Sequence, residues 1–250
     1  MSTLAVALGV LAVVAYVGAV HRSRRRGWPR RRTLAWVGGT VAGVAAVSGP
    51  LAVAAHHSFM AHMIGHLLLG MLAPLLLVLG APVTLAMRTL PVVAARRLSR
   101  VLNGTGIRLL TEPAVAGILS VGGLWVLYAG GVFPALHHHP GLHLLVHVHV
   151  LGSGYLLTQS LVGVDPMPHR RSFPHRAAVL VLAVAGHDIL AKYLYAHPPV
   201  GVPDIEAARA AILMYYGGDA LSIAMMVLLC ARWFRPRRRK SPGRLQESVA

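Results

Sequence analysis

The feature that most constrains this chain is a regular succession of long apolar stretches divided by arginine. A membrane-spanning helix needs roughly 20 mostly apolar residues. Seven stretches approach or exceed that length, at residues 4–20, 34–54, 62–87, 113–133, 142–164, 177–196 and 210–233. They are too long, and too little alternating, for the strands of a membrane barrel. In lipid, every backbone N–H and C=O must find its partner within the protein, so such runs fold as helices. Composition agrees. Of the 250 residues, 56% are hydrophobic and 12% are charged, whereas a soluble domain carries about 25% charge. The expected fold class is an all-α polytopic membrane protein with seven transmembrane helices.

The cations orient it. The formal net charge is +17, from 24 Lys and Arg against 7 Asp and Glu. The first connection holds Arg22, Arg24, Arg25, Arg26, Arg30, Arg31 and Arg32, and the third holds Arg88, Arg96, Arg97, Arg100 and Arg108. The fifth holds Arg170, Arg171 and Arg176. The C-terminal end holds Arg232, Arg235, Arg237, Arg238, Arg239, Lys240 and Arg244. With seven spans these all fall on one side, and only Lys192 and Arg209 lie elsewhere. Short basic connections stay in the cytoplasm. The N-terminus is therefore expected outside and the C-terminus inside. The charges of the first segment follow its apolar run, which is the order of an N-out span and not of a cleaved leader. Three regions result: a first span and arginine-rich loop at 1–33, a six-helix core at 34–233 and a basic cytoplasmic tail at 234–250. Cations spread between spans suit anionic lipid headgroups. They do not make the single basic face that nucleic acid requires, so membrane lipid is an expected partner and nucleic acid is not.

With one Cys against 15 His, internal disulfides, all-cysteine zinc sites and cysteine-held iron–sulfur clusters are excluded. The special chemistry is imidazole, and it is one-sided. His56, His57, His62, His66, His137, His138, His139, His143, His147, His149 and His197 all fall at or near the expected outer face. His62 and His66 are spaced i and i+4 and share a helix face, and His143 and His147 repeat the spacing. Met60, Met63 and Met71 lie beside the first pair. Imidazole serves several transition metals, and thioether favours Cu(I). The candidate metal ligands are a subset of His62, His66, His143, His147 and His149, with Met63. Histidines resting at a polar interface would follow the same pattern.

A second group lies deeper. His187 and Asp188 sit mid-way along the sixth stretch, with Lys192 at i+4 from Asp188 and able to pair with it. Asp219 follows the Gly217–Gly218 pair in the seventh. Such groups are costly in lipid unless paired or turned inward. They read as a polar network supporting the histidine site, or as a structural ion pair. Two other functions compete with metal handling. A bis-His haem protein would use His66 and His147 on facing helices. A metal or proton transporter would use His187, Asp188, Lys192 and Asp219 as a relay. Hydrolase motifs are absent.

Two stretches resemble a known family. Residues 57–82 carry His57, His62, His66, Ala73, Pro74, Gly80 and Pro82, and residues 147–168 carry His147, His149, Gly154, Gly163, Asp165, Pro166 and Pro168. Both are similar to segments of the caa3-type cytochrome c oxidase assembly factors. Gly65 stands where that family often has Gln before the second His, and Ala220 stands where a Gln often follows the seventh-helix Asp. His187 and Asp219 fall where the family places a sixth-helix His and a seventh-helix Asp. The resemblance implies a non-enzymatic assembly factor in the bacterial plasma membrane. It also implies copper as transient Cu(I) cargo, and oxidase subunits or another copper chaperone as partners.

Overall fold

The computed structural model describes residues 2–23, 27–137, 139–167 and 169–234. Arg24, Arg25, Arg26, His138, Pro168 and the tail cations from Arg235 to Arg244 lie outside the described residues. Within them the chain is helical, with no strand. We number the helices α1 (Ser2–Arg22), α2 (Arg30–Ala54), α3 (Phe59–Thr89), α4 (Val92–Leu102), α5 (Thr105–Leu110), α6 (Pro113–Tyr128), α7 (Pro140–Val162), α8 (Phe173–Ala196) and α9 (Asp204–Trp233). Six of them, α1, α2, α3, α7, α8 and α9, are long and apolar enough to cross a membrane. The chain is an all-α polytopic membrane protein. The fourth expected span, 113–133, is shorter than drawn from hydropathy: α6 ends at Tyr128. The Gly130–Gly131 pair terminates it, with Gly131 at φ +74°, a conformation only glycine adopts freely.

Helix α3 is the axis of the bundle. Its first half packs on α9, its second half on α2, and α7 lies along its middle and second half. Helices α8 and α9 pack along each other, α6 closes against α7 and α8, and α1 leans outside on α2. Lipid supplies no hydrophobic drive between helices, so close backbone approach and dense packing hold them. The contact of α7 with α3 shows this. A Cβ on Gly154 would lie 2.2 Å from the Gly70 carbonyl oxygen.

Three long helices are not regular. Helix α2 breaks at Ser48 and Gly49, where Gly49 has φ +73° and Pro50 opens the next turn. Helix α3 turns at Ala81, the one described non-glycine residue with positive φ (+52°). The restarted helix at Pro82 is capped from a distance. Asp165, 2% exposed, accepts from Val83 N–H (3.1 Å), Thr84 N–H (2.7 Å) and the Thr84 hydroxyl (2.6 Å). A carboxylate at a helix start satisfies free donors and the positive end of the dipole together. Helices α3 and α6 each contain a π turn, at Leu68–Leu72 and Ile118–Gly122.

Packing forms two apolar clusters. One gathers Phe59, Met63, Leu124, Tyr128, Leu190 and Met214. The other gathers Leu75, Leu157, Leu161, Leu180, Met225 and Leu229. The first lies toward the histidine-bearing end. The second lies toward the end where Arg170, Arg176 and Arg232 reach the last carbonyls of α7 and the turn beyond.

Candidate functional site

The two histidine pairs do not converge on one site. His62 and His66 share a helix face, as their spacing requires, and both rings meet Tyr128, but their other neighbours differ. The Tyr128 hydroxyl lies 3.0 Å from His62 Nε2, and the ring of His62 lies among Phe59 and Phe133, with centroids 5.9 and 5.0 Å away. His66, one turn deeper, is 8% exposed. Its ring centre is 6.1 Å from that of His187 on α8 and 6.3 Å from that of Tyr128, which stands nearly perpendicular to it.

His143 and His147 form a separate group at the start of α7. Their rings are 4.3 Å apart, and His56 from the end of α2 lies 5.8 Å from His143. The His143 carbonyl accepts from His147 Nδ1 at 2.7 Å. His149 faces another way. Its Nε2 donates to the Leu119 carbonyl inside the π turn of α6 at 3.0 Å, and the ring packs where a Cβ on Gly123 would sit. Met63 has no exposed surface and lies in the apolar cluster with Phe59 and Met214. Among the described residues, no three His, Cys, Asp or Glu side chains converge closely enough to hold a metal ion.

The inner pair has a different character. His66 Nε2 and both ring nitrogens of His187 are buried without a hydrogen-bond partner. Buried polar nitrogens are normally satisfied, so three in one place call for an explanation. They border a cavity of about 50 Å³ at the meeting of the two apolar clusters. Met71, Met225, Ser120, Ser153, Thr158 and Ser222 line it, with the Thr158 hydroxyl donating to the Met225 sulfur at 3.9 Å. Residues of both π turns contribute to its wall, and π turns recur at functional sites. His187 reaches this position because residue 218 is glycine. A Cβ there would lie 2.3 Å from His187 Cε1 and 2.8 Å from its Nδ1.

The acidic groups stand beside this pair. Asp188 Oδ1 is 3.7 Å from His187 Nδ1, beyond hydrogen-bond reach, and its carboxyl interacts with that of Asp219. Lys192 does not pair with Asp188 within 4.0 Å. Its ammonium lies 5.2 Å from the centre of the Tyr215 ring. The i, i+4 spacing is permissive, but Asp188 faces Asp219 while Lys192 turns outward along α9. Sequence reasoning missed Tyr128, Met225 and the hydroxyl lining. Ser120, Ser153 and Ser222, isolated small polar residues inside apolar stretches, were the available signal.

The profile of the cytochrome c oxidase caa3 assembly factor family matches residues 14–236. The chain belongs to that family. The family is one of assembly factors and not of enzymes. The assembly-factor chain is 33% identical over 190 residues to the uncharacterized proteins Mb0105 of Mycobacterium bovis and MT0111 of Mycobacterium tuberculosis. It is 31% identical to ML1998 of Mycobacterium leprae over the same length. Each comparison covers 72% of this chain and 29% of the relative, so the chain spans under a third of these proteins. No solved structure matches it. Long apolar helices and mycobacterial relatives make this a bacterial multi-pass membrane protein.

Proposed function

We propose that this assembly factor holds copper as transient Cu(I) cargo between His66 and His187 and passes it toward the cytochrome c oxidase. The observation that carries the reading is the set of three unpartnered, buried imidazole nitrogens on a cavity that two methionines also line. Imidazole with thioether is a donor set that favours Cu(I). Metal–imidazole bonds on the order of 2 Å put the centres of two bridged rings roughly 6 Å apart. The observed separation is 6.1 Å. Two strong donors hold a cargo that must leave again by ligand exchange, and Met71 and Met225 offer weaker contacts during exchange. Asp188 and Asp219 supply negative charge beside the cation.

In this reading α6 completes seven spans, the N-terminus is outside, and the histidine-bearing end faces the exterior of the plasma membrane. His62, half-buried above His66, and the exposed-side group of His143 and His147 lie on the approach to the inner pair. His149 and Met63 act in packing. An oxidase subunit or another copper chaperone is the partner. A haem between His66 and His187 is disfavoured by size, since a porphyrin is many times larger than the cavity.

The test is titration of purified protein with Cu(I) against a chromophoric chelator under reducing conditions. Binding is expected in the unaltered chain and in His143→Ala/His147→Ala, and lost in His66→Ala/His187→Ala. No Cu(I) binding by the unaltered chain, or full binding by the inner double variant, refutes the assignment. In a strain lacking the protein, the oxidase is expected to lose copper.

A further inference from the structure

The segment that joins α3 to α6 carries charge and apolar surface in a pattern that a water-facing loop does not need. In α4, at about 100° per residue, Arg96, Arg97 and Arg100 fall within an arc of about 100°, and Ala94, Ala95, Leu98, Val101 and Leu102 within about 120° on the other side. Each residue of α4 and α5 is exposed or half-buried. Val101 on α4 is 61% exposed, Leu109 on α5 is 59% exposed, and Val92, Val93 and Leu110 are exposed as well. Arg108, next to Leu109, is also exposed. So much aliphatic surface on one short segment marks a contact site.

Both ends of the segment are held at the arginine-bearing end of the bundle. Leu90 and Pro91 separate α4 from α3, and α4 packs against the last stretch of α3 and against α5. Arg32 and Arg88 both lie over the Trp28 ring, at 4.8 and 5.4 Å from its centre, and Arg88 belongs to the last turn of α3. Tryptophan settles at headgroup depth. At the other end of the segment, Glu112 Oε1 lies 2.9 Å from His175 Nε2, in the first turn of α8, and 3.4 Å from Arg171 Nε. The chain therefore enters α4 at headgroup depth and returns to the bundle beside the start of α8.

A helix with one basic and one apolar face, tied to a bilayer at both ends, rests in the interface. We propose that α4 and α5 form an in-plane anchor that binds the anionic phospholipid surface at the arginine-bearing end. Val101, Leu109 and Leu110 enter the boundary between headgroups and acyl chains, and Arg96, Arg97, Arg100 and Arg108 lie along the phosphates. Charge complementarity selects this occupant. Each arginine near an anionic surface strengthens attachment about fivefold, whereas a second copy of the segment would bring its own arginines against these. The anchor is independent of the copper reading and of the N-out orientation.

The experiment uses the full chain in a Cys230→Ser background, spin-labelled through Val101→Cys, Leu109→Cys or Arg97→Cys, in nanodiscs of phosphatidylcholine with and without phosphatidylglycerol. Collision with oxygen, which concentrates among acyl chains, is compared with collision with a neutral nickel chelate, which stays in water. With phosphatidylglycerol present, oxygen is expected to dominate at the Val101 and Leu109 sites and the chelate at the Arg97 site. Adding phosphatidylglycerol is expected to raise the oxygen-to-chelate ratio at the Val101 site. That rise is lost in Arg96→Gln/Arg100→Gln and kept in the charge-matched control Arg30→Gln/Arg31→Gln, at exposed positions of α2. Dominance of the chelate at all the labelled sites overturns the anchor. Shielding of the Val101 and Leu109 sites from both reagents overturns lipid as the occupant in favour of protein. A rise that survives in Arg96→Gln/Arg100→Gln, or is lost in both paired variants, overturns the role of the α4 arginines.

Discussion

Gly218 and Gly217 are neighbours on α9, and the inner site predicts opposite outcomes for the same substitution at each. In Gly218→Ala the new methyl meets His187, 2.3 Å from Cε1 and 2.8 Å from Nδ1. Ordinary contact begins near 3.4 Å, so the ring must move by about 1 Å, well beyond the ±0.2 Å tolerance of a metal–ligand bond. Forcing an overpacked group back into place costs typically 1–3 kcal/mol, which weakens Cu(I) binding by about 5- to 150-fold. In Gly217→Ala the methyl meets Leu67 Cδ1 at 2.6 Å. That atom ends a flexible side chain, and a rotamer change relieves it. Affinity is then expected to stay within about fivefold, because strain removed by a rotamer change is under about 1 kcal/mol. Chelator competition on the two purified variants measures both numbers. Unchanged affinity in Gly218→Ala, or an equal loss in both, refutes the placement of His187 as a ligand.

Other consequences follow from the fold. Asp165→Ala leaves the Val83 and Thr84 donors without an acceptor, and it is expected to cost about 2–3 kcal/mol in an equilibrium unfolding assay while leaving Cu(I) affinity unchanged. Glu112, at the start of α6, has its carboxyl held below the ordinary 4.5. Burial pushes it up, and hydrogen bonds from Val115 N–H and His175 outweigh that push. A depressed folded value means that its stabilisation is complete above 4.5 and is lost as pH falls through that lower value. The unfolding midpoint of the unaltered chain is expected to drop across that window more steeply than that of Glu112→Gln. In a Cys230→Ser background, His57→Cys is expected to react with an impermeant maleimide on intact cells, and Gly104→Cys after permeabilisation. The reverse pattern refutes the N-out orientation.

Much of the architecture is legible because lipid leaves the backbone few options. The ends of α7, α8 and α9 lie within a few residues of the hydropathy limits in all but the last case. There α9 begins at Asp204, six residues ahead of the apolar run, because Glu206 reaches back to cap α3 through Ser58. Interruptions are less legible. Pro50 and Pro82 mark two of them, but no residue announces the π turns. The site divides along the same line. His66 and His187 stand out as single residues, one by its spacing and one by its depth. Their encounter depends on which faces of α3 and α8 meet, and a sequence holds no record of that. The outer abundance of histidine drew attention to His143, His147 and His149, whose rings engage one another, His56 and the Leu119 carbonyl.

The π turn in α3 explains why spacing rules fall short at this site. His66 and Met71 are five residues apart and both line the cavity. In a regular α-helix, at 3.6 residues per turn, positions five apart diverge by about 140°, so these two would face different neighbours. The i→i+5 bonding of a π turn winds the chain more slowly, so residues five apart lie closer to one face than in an α-helix. The segment Leu68–Leu72 provides that turn between them. His66 and Met71 thereby both reach the wall of the cavity that His187 and Met225 also line. The irregular helix is then part of the site's chemistry. A scan for i, i+4 ligand pairs passes over it, because the geometry that joins these donors exists only where the helix departs from the α form.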